Sequence, residues 1–180
     1  MNVRIRTPYS IDKNLGKAYN EEMALIPDGD AACFLDGDMM FTIPDYGHVI
    51  NEYANLYPNA VLTCWTNRTH NLSVGQQHPT CRASNVEEVL RFASTISNDR
   101  TVARLDGVVS MLLQVIPKHI WQQYKFSEVN MYRPDEHNLL GVDNEWTNRI
   151  RSNGIEILRM NGLIMYHQYR LLTGSKEHLK

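Results

Sequence analysis

The sequence predicts an α/β fold, with a mostly parallel sheet flanked by helices, built as one domain over residues 1–180. Three observations carry this. The apolar runs "AACFL" (31–35) and "AVLTCW" (60–65) are too short for free-standing helices and read as strands buried on both faces. The segments around them place apolar residues at helical spacing. The resulting order, strand–helix–strand–helix–strand, is that of parallel sheets whose crossovers put helices on the faces.

Taken in order, "NVRIR" (2–6) alternates polar and apolar residues and suits a strand. "NLGKAYNEEMALI" (14–26) gathers Leu15, Ala18, Met23 and Ile26 near one helical face, and the turn "PDGD" leads into the strand 31–35. Pro44 fits the first turn of a helix, where its missing N–H is harmless, and Val49, Ile50, Tyr53, Leu56 and Tyr57 continue at helical spacing as far as Pro58. Residues 66–104 form a polar excursion followed by a helix, for which Ser84 and Glu87 have capping-box spacing. Residues 107–116 read as a strand and "PKHIWQQY" as a short helix. Val142, Trp146 and Ile150 mark a helix ending at Gly154, "IEILRM" and "LIMYH" are two short strands, and the polar tail 173–180 frays.

Composition excludes several classes. A formal charge of −2 with 21% charged residues carries no polybasic signal, so nucleic acid is not an expected partner. No apolar run reaches the ~18 residues that span a bilayer, and the early Arg4, Arg6 and Asp12 interrupt any signal-peptide core, so a cytoplasmic location without a transmembrane segment is expected. Cys33, Cys64 and Cys81 lack the close spacing of a zinc or redox motif and read as free thiols. His70, His78 and His137 fall in polar loops without ligand spacing and read as solvated.

The chemistry concentrates at "FLDGD". On an extended strand, Asp36 and Asp38 fall on the same side with about 7 Å between Cα atoms, close enough to converge on one hard cation such as Mg²⁺ or Mn²⁺. Gly37 between them leaves room for a ligand to approach the backbone. The same three residues also suit an ordinary turn, since Asp-Gly pairs are turn formers.

The stretch "NLGKAYNEEMALIPDGDAACFLDGDMMF" resembles the centre of the GT-A-type nucleotide-sugar glycosyltransferases, especially the large inverting family 2. In that family an Asn-x-Gly-Lys-Ala helix precedes an apolar strand ending in the Asp-x-Asp (DXD) metal motif. Asn14, Gly16, Lys17, Ala18 and Asn20 match the helix, and Asp36, Gly37 and Asp38 match the motif. Further along, Phe126-Ser127-Glu128, then Asp143, Glu145 and Arg149 in "VDNEWTNR", then Gly154 and His167 in "MYH" keep the family's order.

The resemblance implies a GT-A-like fold and a transferase that moves a sugar from a nucleotide-sugar donor to an acceptor hydroxyl, with inversion. It implies Mn²⁺ or Mg²⁺ held by Asp36, Asp38 and His167, and donor contacts from Asn14, Gly16, Lys17, Asp36, Gly37 and Asp38. Asp143 aligns with the catalytic base, with Glu145 as second candidate for the base or as an acceptor contact. At a helix first turn the dipole favours the charged form of Asp143, so its pKa need not be raised. Each residue also has a plainer reading: Asp143 and Glu145 as helix-capping acids, His167 as a strand-end histidine satisfied locally, Trp121 and Trp146 as core rather than sugar-flanking aromatics.

By this alignment the chain starts at the family's third strand, N-terminally truncated, without the block that binds base and ribose. The donor is then held through its diphosphate, or a second copy in a homo-oligomer supplies the missing wall. "RTPYS" (6–10) is a candidate remnant of nucleotide contact, and Val142 replaces a glutamate of the family pattern. Two alternatives stand beside the transferase: a non-catalytic nucleotide-sugar binding module, and a haloacid-dehalogenase-type phosphatase, whose pattern Met40 departs from.

Overall fold

The computed structural model describes residues 1–12, 14–69, 75–82, 85–107, 109–129 and 141–168. In chain order the elements are β1 (Val3–Arg6), α1 (Leu15–Ala24), β2 (Ala31–Leu35), β3 (Met39–Phe41), α2 (Tyr46–Leu56), β4 (Val61–Thr66), α3 (Val86–Ile96), β5 (Val102–Arg104), β6 (Leu113–Pro117), α4 (Lys118–Gln123), α5 (Val142–Ser152) and β7 (Ile157–His167). All seven strands join one sheet in the order β1-β2-β6-β4-β7-β3, with β5 paired to β7.

The sheet is mixed, which corrects the expectation of a mostly parallel one. β1–β2 and β4–β7 pair in parallel, while β2–β6, β4–β6, β3–β7 and β5–β7 are antiparallel. The apolar runs of β2 and β4 do have the predicted parallel sense. The antiparallel β6 wedged between them is announced by no periodicity, because its five residues are buried throughout. One consequence matters for the site: β1, β2, β4 and β7 run the same way, so their carboxyl ends lie on one edge.

Period-2 burial sorts the sheet's two faces. Cys33, Leu62, Cys64, Val115 and Met160 pack against Val49, Ile50 and Tyr53 of α2 and Val89 and Ala93 of α3. Ala32, Phe34, Val61, Ile116 and Ile157 pack against Tyr19 and Met23 of α1, Trp121 of α4 and Trp146 and Ile150 of α5. The three cysteines are buried thiols outside any disulfide, and burial pushes the Cys33 thiol up to about 12. None of the described helices is long and apolar enough to cross a membrane.

The sheet curls. β2 and β3 are separated by four strand spacings, ~19 Å on a flat sheet, yet the four Cα steps from Leu35 to Met39 reach at most ~15 Å. A break in β7 supplies part of the bend. Cys64 pairs with Met160 but Trp65 with Ile164, so Asn161–Leu163 bulge out of the ladder. This is where the sequence divides into two short strands; the structure joins them into one bent strand. At the bulge the Gly162 N–H donates to the Tyr53 hydroxyl (3.2 Å), which donates to the Asp99 carbonyl (2.7 Å).

Several boundaries differ from the sequence reading. Helix α2 starts two residues after Pro44, with Asp45 as its N-cap. Asn85, whose side chain accepts from the Glu87 N–H, caps α3, and Ser84 lies outside the described residues. β6 begins only at Leu113, because Met111 and Leu112 form a turn. Gly154 ends α5 in the left-handed region, as expected of a glycine after a helix. The tail 173–180, His70 and His137 lie outside the described residues.

Candidate functional site

Asp36 follows the last residue of β2, and its N–H donates to the Leu112 carbonyl (3.2 Å) while its own carbonyl accepts from Met39 N–H (3.1 Å). The acidic pair therefore sits in a tight turn from β2 into β3, not on an extended strand as expected, and turn geometry rather than pleat brings the pair to the sheet edge. A Cβ on Gly37 would meet no atom within 4 Å, so the chain between the aspartates is open to approach. Because β3 pairs with β7 in the register Met39↔His167, the turn delivers Asp38 to the end of β7.

There His167 Nε2 lies 3.2 Å from Asp38 Oδ2, with the imidazole 5% exposed and the carboxylate 31%. The ring's other nitrogen, Nδ1, is 2.7 Å from the Arg68 carbonyl, and the His167 N–H donates to Asn67 Oδ1 (2.8 Å). A carbonyl only accepts, so Nδ1 carries the proton and Nε2 is the atom turned to the carboxylate.

Asp36 and Asp143 are both partly buried, and electrostatics ties them together. Burial, then the charge of Asp38, then that of Asp143, push the Asp36 carboxyl up to about 6, against a lowering by His167. Asp143 is also raised, by burial, although a hydrogen bond from the Asn144 N–H (2.9 Å) favours its charged form. The helix dipole thus does not keep Asp143 at its ordinary value; loss of water outweighs it. The buried Tyr19 hydroxyl of α1 is raised by burial, and further by the charges of Asp36 and Asp143.

The other expected site residues have local duties. Asn14 caps α1, accepting from Lys17 N–H (3.1 Å) and donating to the Glu128 carbonyl (2.7 Å). A Cβ on Gly16 would run into the Ser127 carbonyl, so this glycine lets α1 close on the 126–128 segment. Lys17 is exposed near Glu21. Asn20 is 9% exposed and satisfied by Trp121 Nε1 (2.8 Å), Phe126 N–H and carbonyl (3.0 Å each) and Glu128 (2.9 Å). Glu145 is paired to Arg149 at 2.6 Å.

Trp121 and Trp146 are core residues. Trp65 is covered by Arg159, whose guanidinium carbon is 3.2 Å from the ring centroid. His78, expected to be solvated, instead packs against Trp65 and Phe92, with ring centroids 4.6 and 4.5 Å away, and accepts from the Cys81 N–H at 3.1 Å.

The sequence reading names Asp36, Asp38, Asp143 and His167 but not the neighbours that act on them, Tyr19, Asn67 and Arg68. Tyr19 lies inside the Asn-x-Gly helix pattern; the rest are polar residues in turns, with no period to mark them. Among the described residues no group of three or more His, Cys, Asp or Glu side chains forms a ready-made metal cage. The donor set nonetheless suits a hard divalent cation. Asp38 Oδ2 and His167 Nε2 face each other at 3.2 Å, and the partly buried Asp36 is disfavoured in its charged form by the like charge of Asp38, an arrangement that a cation relieves. Compared with protein-family models and with characterised proteins, the chain finds no match.

Proposed function

We propose that this protein is a divalent-metal-dependent glycosyltransferase that moves a sugar from a nucleotide-sugar donor to an acceptor hydroxyl with inversion. The observation that carries the reading is the meeting of Asp38 with His167 at 3.2 Å on the edge where Asp143 also raises Asp36. The charges of Asp38, His167 and Asp143 all act on Asp36.

Asp36, Asp38 and His167 would hold Mn²⁺ or Mg²⁺. When bound, the ion would supply Lewis-acid stabilisation of negative charge on the leaving diphosphate. An ion held by so few side chains would keep open positions for phosphate oxygens. Open space at Gly37 lets the donor's diphosphate approach the backbone.

Asp143 accepts the acceptor's hydroxyl proton while that oxygen bonds to the anomeric carbon; the bond from that carbon to the phosphate oxygen breaks, and nucleoside diphosphate leaves. A carboxylate raised by burial is a stronger base than one in water, which suits this role. Tyr19 stays protonated, since burial and the charges of Asp36 and Asp143 raise its hydroxyl.

The test is a panel of nucleoside diphosphates and nucleotide sugars, with and without Mn²⁺. The expected result is a rise in melting temperature that needs both metal and one nucleotide, with slow metal-dependent release of nucleoside diphosphate that Asp38→Ala abolishes. Release of inorganic phosphate from simple esters would favour the phosphatase instead, and binding without release the non-catalytic module.

A further inference from the structure

β4 ends at Thr66, whose ladder partner is Met165, while β7 runs two residues further to His167. Along a strand, successive N–H groups point to opposite edges. The Gln168 N–H is taken on the β3 side by the Asp38 carbonyl (2.9 Å), so the His167 N–H points to the β4 side, where the strand has stopped. There the Asn67 amide oxygen accepts it at 2.8 Å. A side chain stands in for the strand carbonyl that the ladder no longer supplies. Asn67 is 1% exposed and His167 6%, so the bond is shielded from water.

The same turn supplies the contact to the ring. Arg68 follows Asn67, and its carbonyl lies 2.7 Å from His167 Nδ1. Thr66 braces the turn: its hydroxyl lies 3.3 Å from both Asn67 Oδ1 and the Arg68 carbonyl, and the Arg68 N–H donates back to it (3.4 Å). Thr66 is itself held, its N–H donating to the Gln76 carbonyl (2.8 Å) and its carbonyl accepting from the His78 N–H (2.9 Å). Two consecutive residues past the end of β4 thus grip the backbone and the ring of one histidine, and Nε2 is the atom turned to Asp38 Oδ2 at 3.2 Å.

We infer that Asn67 is a positioning residue for His167, fixing the end of β7 so that the ring keeps Nδ1 on the Arg68 carbonyl and Nε2 toward Asp38; this rests on reading His167 as a metal ligand. A ligating imidazole whose second nitrogen is anchored keeps one orientation and one tautomer, and losing such an anchor weakens metal binding. Here the anchor is a backbone carbonyl in a turn, and a turn has other conformations of similar energy. The Asn67 amide, bonded across the end of the sheet, selects one of them. Without it the Arg68 carbonyl drifts from Nδ1 and the ring loses its aim.

The experiment reads His167 in three ways in wild type, Asn67→Ala, Asn67→Asp and His167→Ala. These are exchange of the His167 amide proton by NMR in the metal-free protein, Mn²⁺ affinity by isothermal titration, and the ¹⁴N modulation that a bound imidazole imposes on the Mn²⁺ electron spin echo. Wild type should show a protected amide and imidazole modulation, and His167→Ala should lack the modulation. Asn67→Ala should speed amide exchange by about tenfold or more. It should also weaken Mn²⁺ binding by about tenfold and reduce the modulation. Asn67→Asp, which keeps an acceptor oxygen in place, should retain the modulation. A merely structural role would lower stability and leave the modulation of the bound ion at its wild-type depth. Should Asn67→Ala fail to fold, Asn67→Ser, whose shorter side chain cannot span to the His167 N–H, decides in its place. Wild-type affinity and modulation in the folded variant overturn the proposal. Absence of the modulation in the wild type itself defeats His167 as a ligand, and with it the metal set proposed above, whatever Asn67 does to amide exchange.

Discussion

His167 Nε2 faces Asp38 Oδ2 at 3.2 Å while Nδ1 is committed to the Arg68 carbonyl. A divalent cation shared by Nε2 and the carboxylate would account for this juxtaposition. His167→Ala is therefore expected to weaken Mn²⁺ binding by at least about tenfold, ~1.4 kcal/mol, read by isothermal titration or by the metal-dependent melting shift. If the contact is only an ion pair between a protonated ring and Asp38, the variant will bind Mn²⁺ as the wild type does.

Asp36 gives a pH dependence whose sign can be worked out. Its folded pKa, about 6, lies above the ordinary 3.8, so between these values the folded protein binds the extra proton. Stability from this group is full below the ordinary value and is lost as pH rises through about 6. The ceiling is about 3 kcal/mol, since each tenfold change in proton affinity is worth ~1.36 kcal/mol. Metal-free wild type should lose stability relative to Asp36→Asn across that window, in urea titrations at successive pH. The Mn²⁺ melting shift should run the opposite way, full near neutrality and fading below about pH 6 as protons compete. A metal response that is flat from pH 5 to 8 counts against Asp36 as a ligand.

Gly16 and Gly37 separate packing from binding. A Cβ on Gly16 collides with the Ser127 carbonyl, a backbone atom that cannot step aside cheaply, so Gly16→Ala should cost about 1–3 kcal/mol in urea denaturation. A Cβ on Gly37 meets nothing within 4 Å and needs no left-handed backbone, so Gly37→Ala should fold within about 0.5 kcal/mol of wild type. Its effect should fall on nucleotide-sugar affinity in the presence of Mn²⁺. Unaltered donor affinity would show that the open face of Gly37 is not where the donor approaches.

What the sequence makes legible is local. Helical spacing locates α1, α2, α3 and α5, and unbroken apolar runs locate β2 and β4, because these patterns are set by neighbours a few residues apart. The sequence does not show that β6 enters between β2 and β4, or that a short turn after Leu35 carries the chain to the far end of β7, since both depend on pairing between distant segments. β3 and β5 escape a sequence reading for a related reason: three residues carry too little period to be read. Asp36, Asp38, Asp143 and His167 stand out through motif order. That Asp38 comes to face His167 follows from the β3–β7 register Met39↔His167, which only the assembled sheet reveals.

Asp143 and Glu145 share the first turn of α5, and their surroundings assign them different work. Glu145 accepts from Arg149 at 2.6 Å, and Arg149 also donates to the Lys125 carbonyl (2.8 Å), so its carboxylate is already satisfied within the protein. Asp143 is partly buried and raised by burial, and its charge acts on Asp36 and Tyr19. Asp143→Asn keeps the shape but cannot take a proton, and kcat is expected to fall by about 10²–10⁴ with the Mn²⁺ melting shift intact. Glu145→Gln exchanges an ion pair for a neutral hydrogen bond across i,i+4 and should change stability by about 0.5 kcal/mol and kcat by no more than a few-fold. Paired single-turnover measurements on the two variants decide which carboxylate is the base, and a larger loss in Glu145→Gln would reverse the assignment.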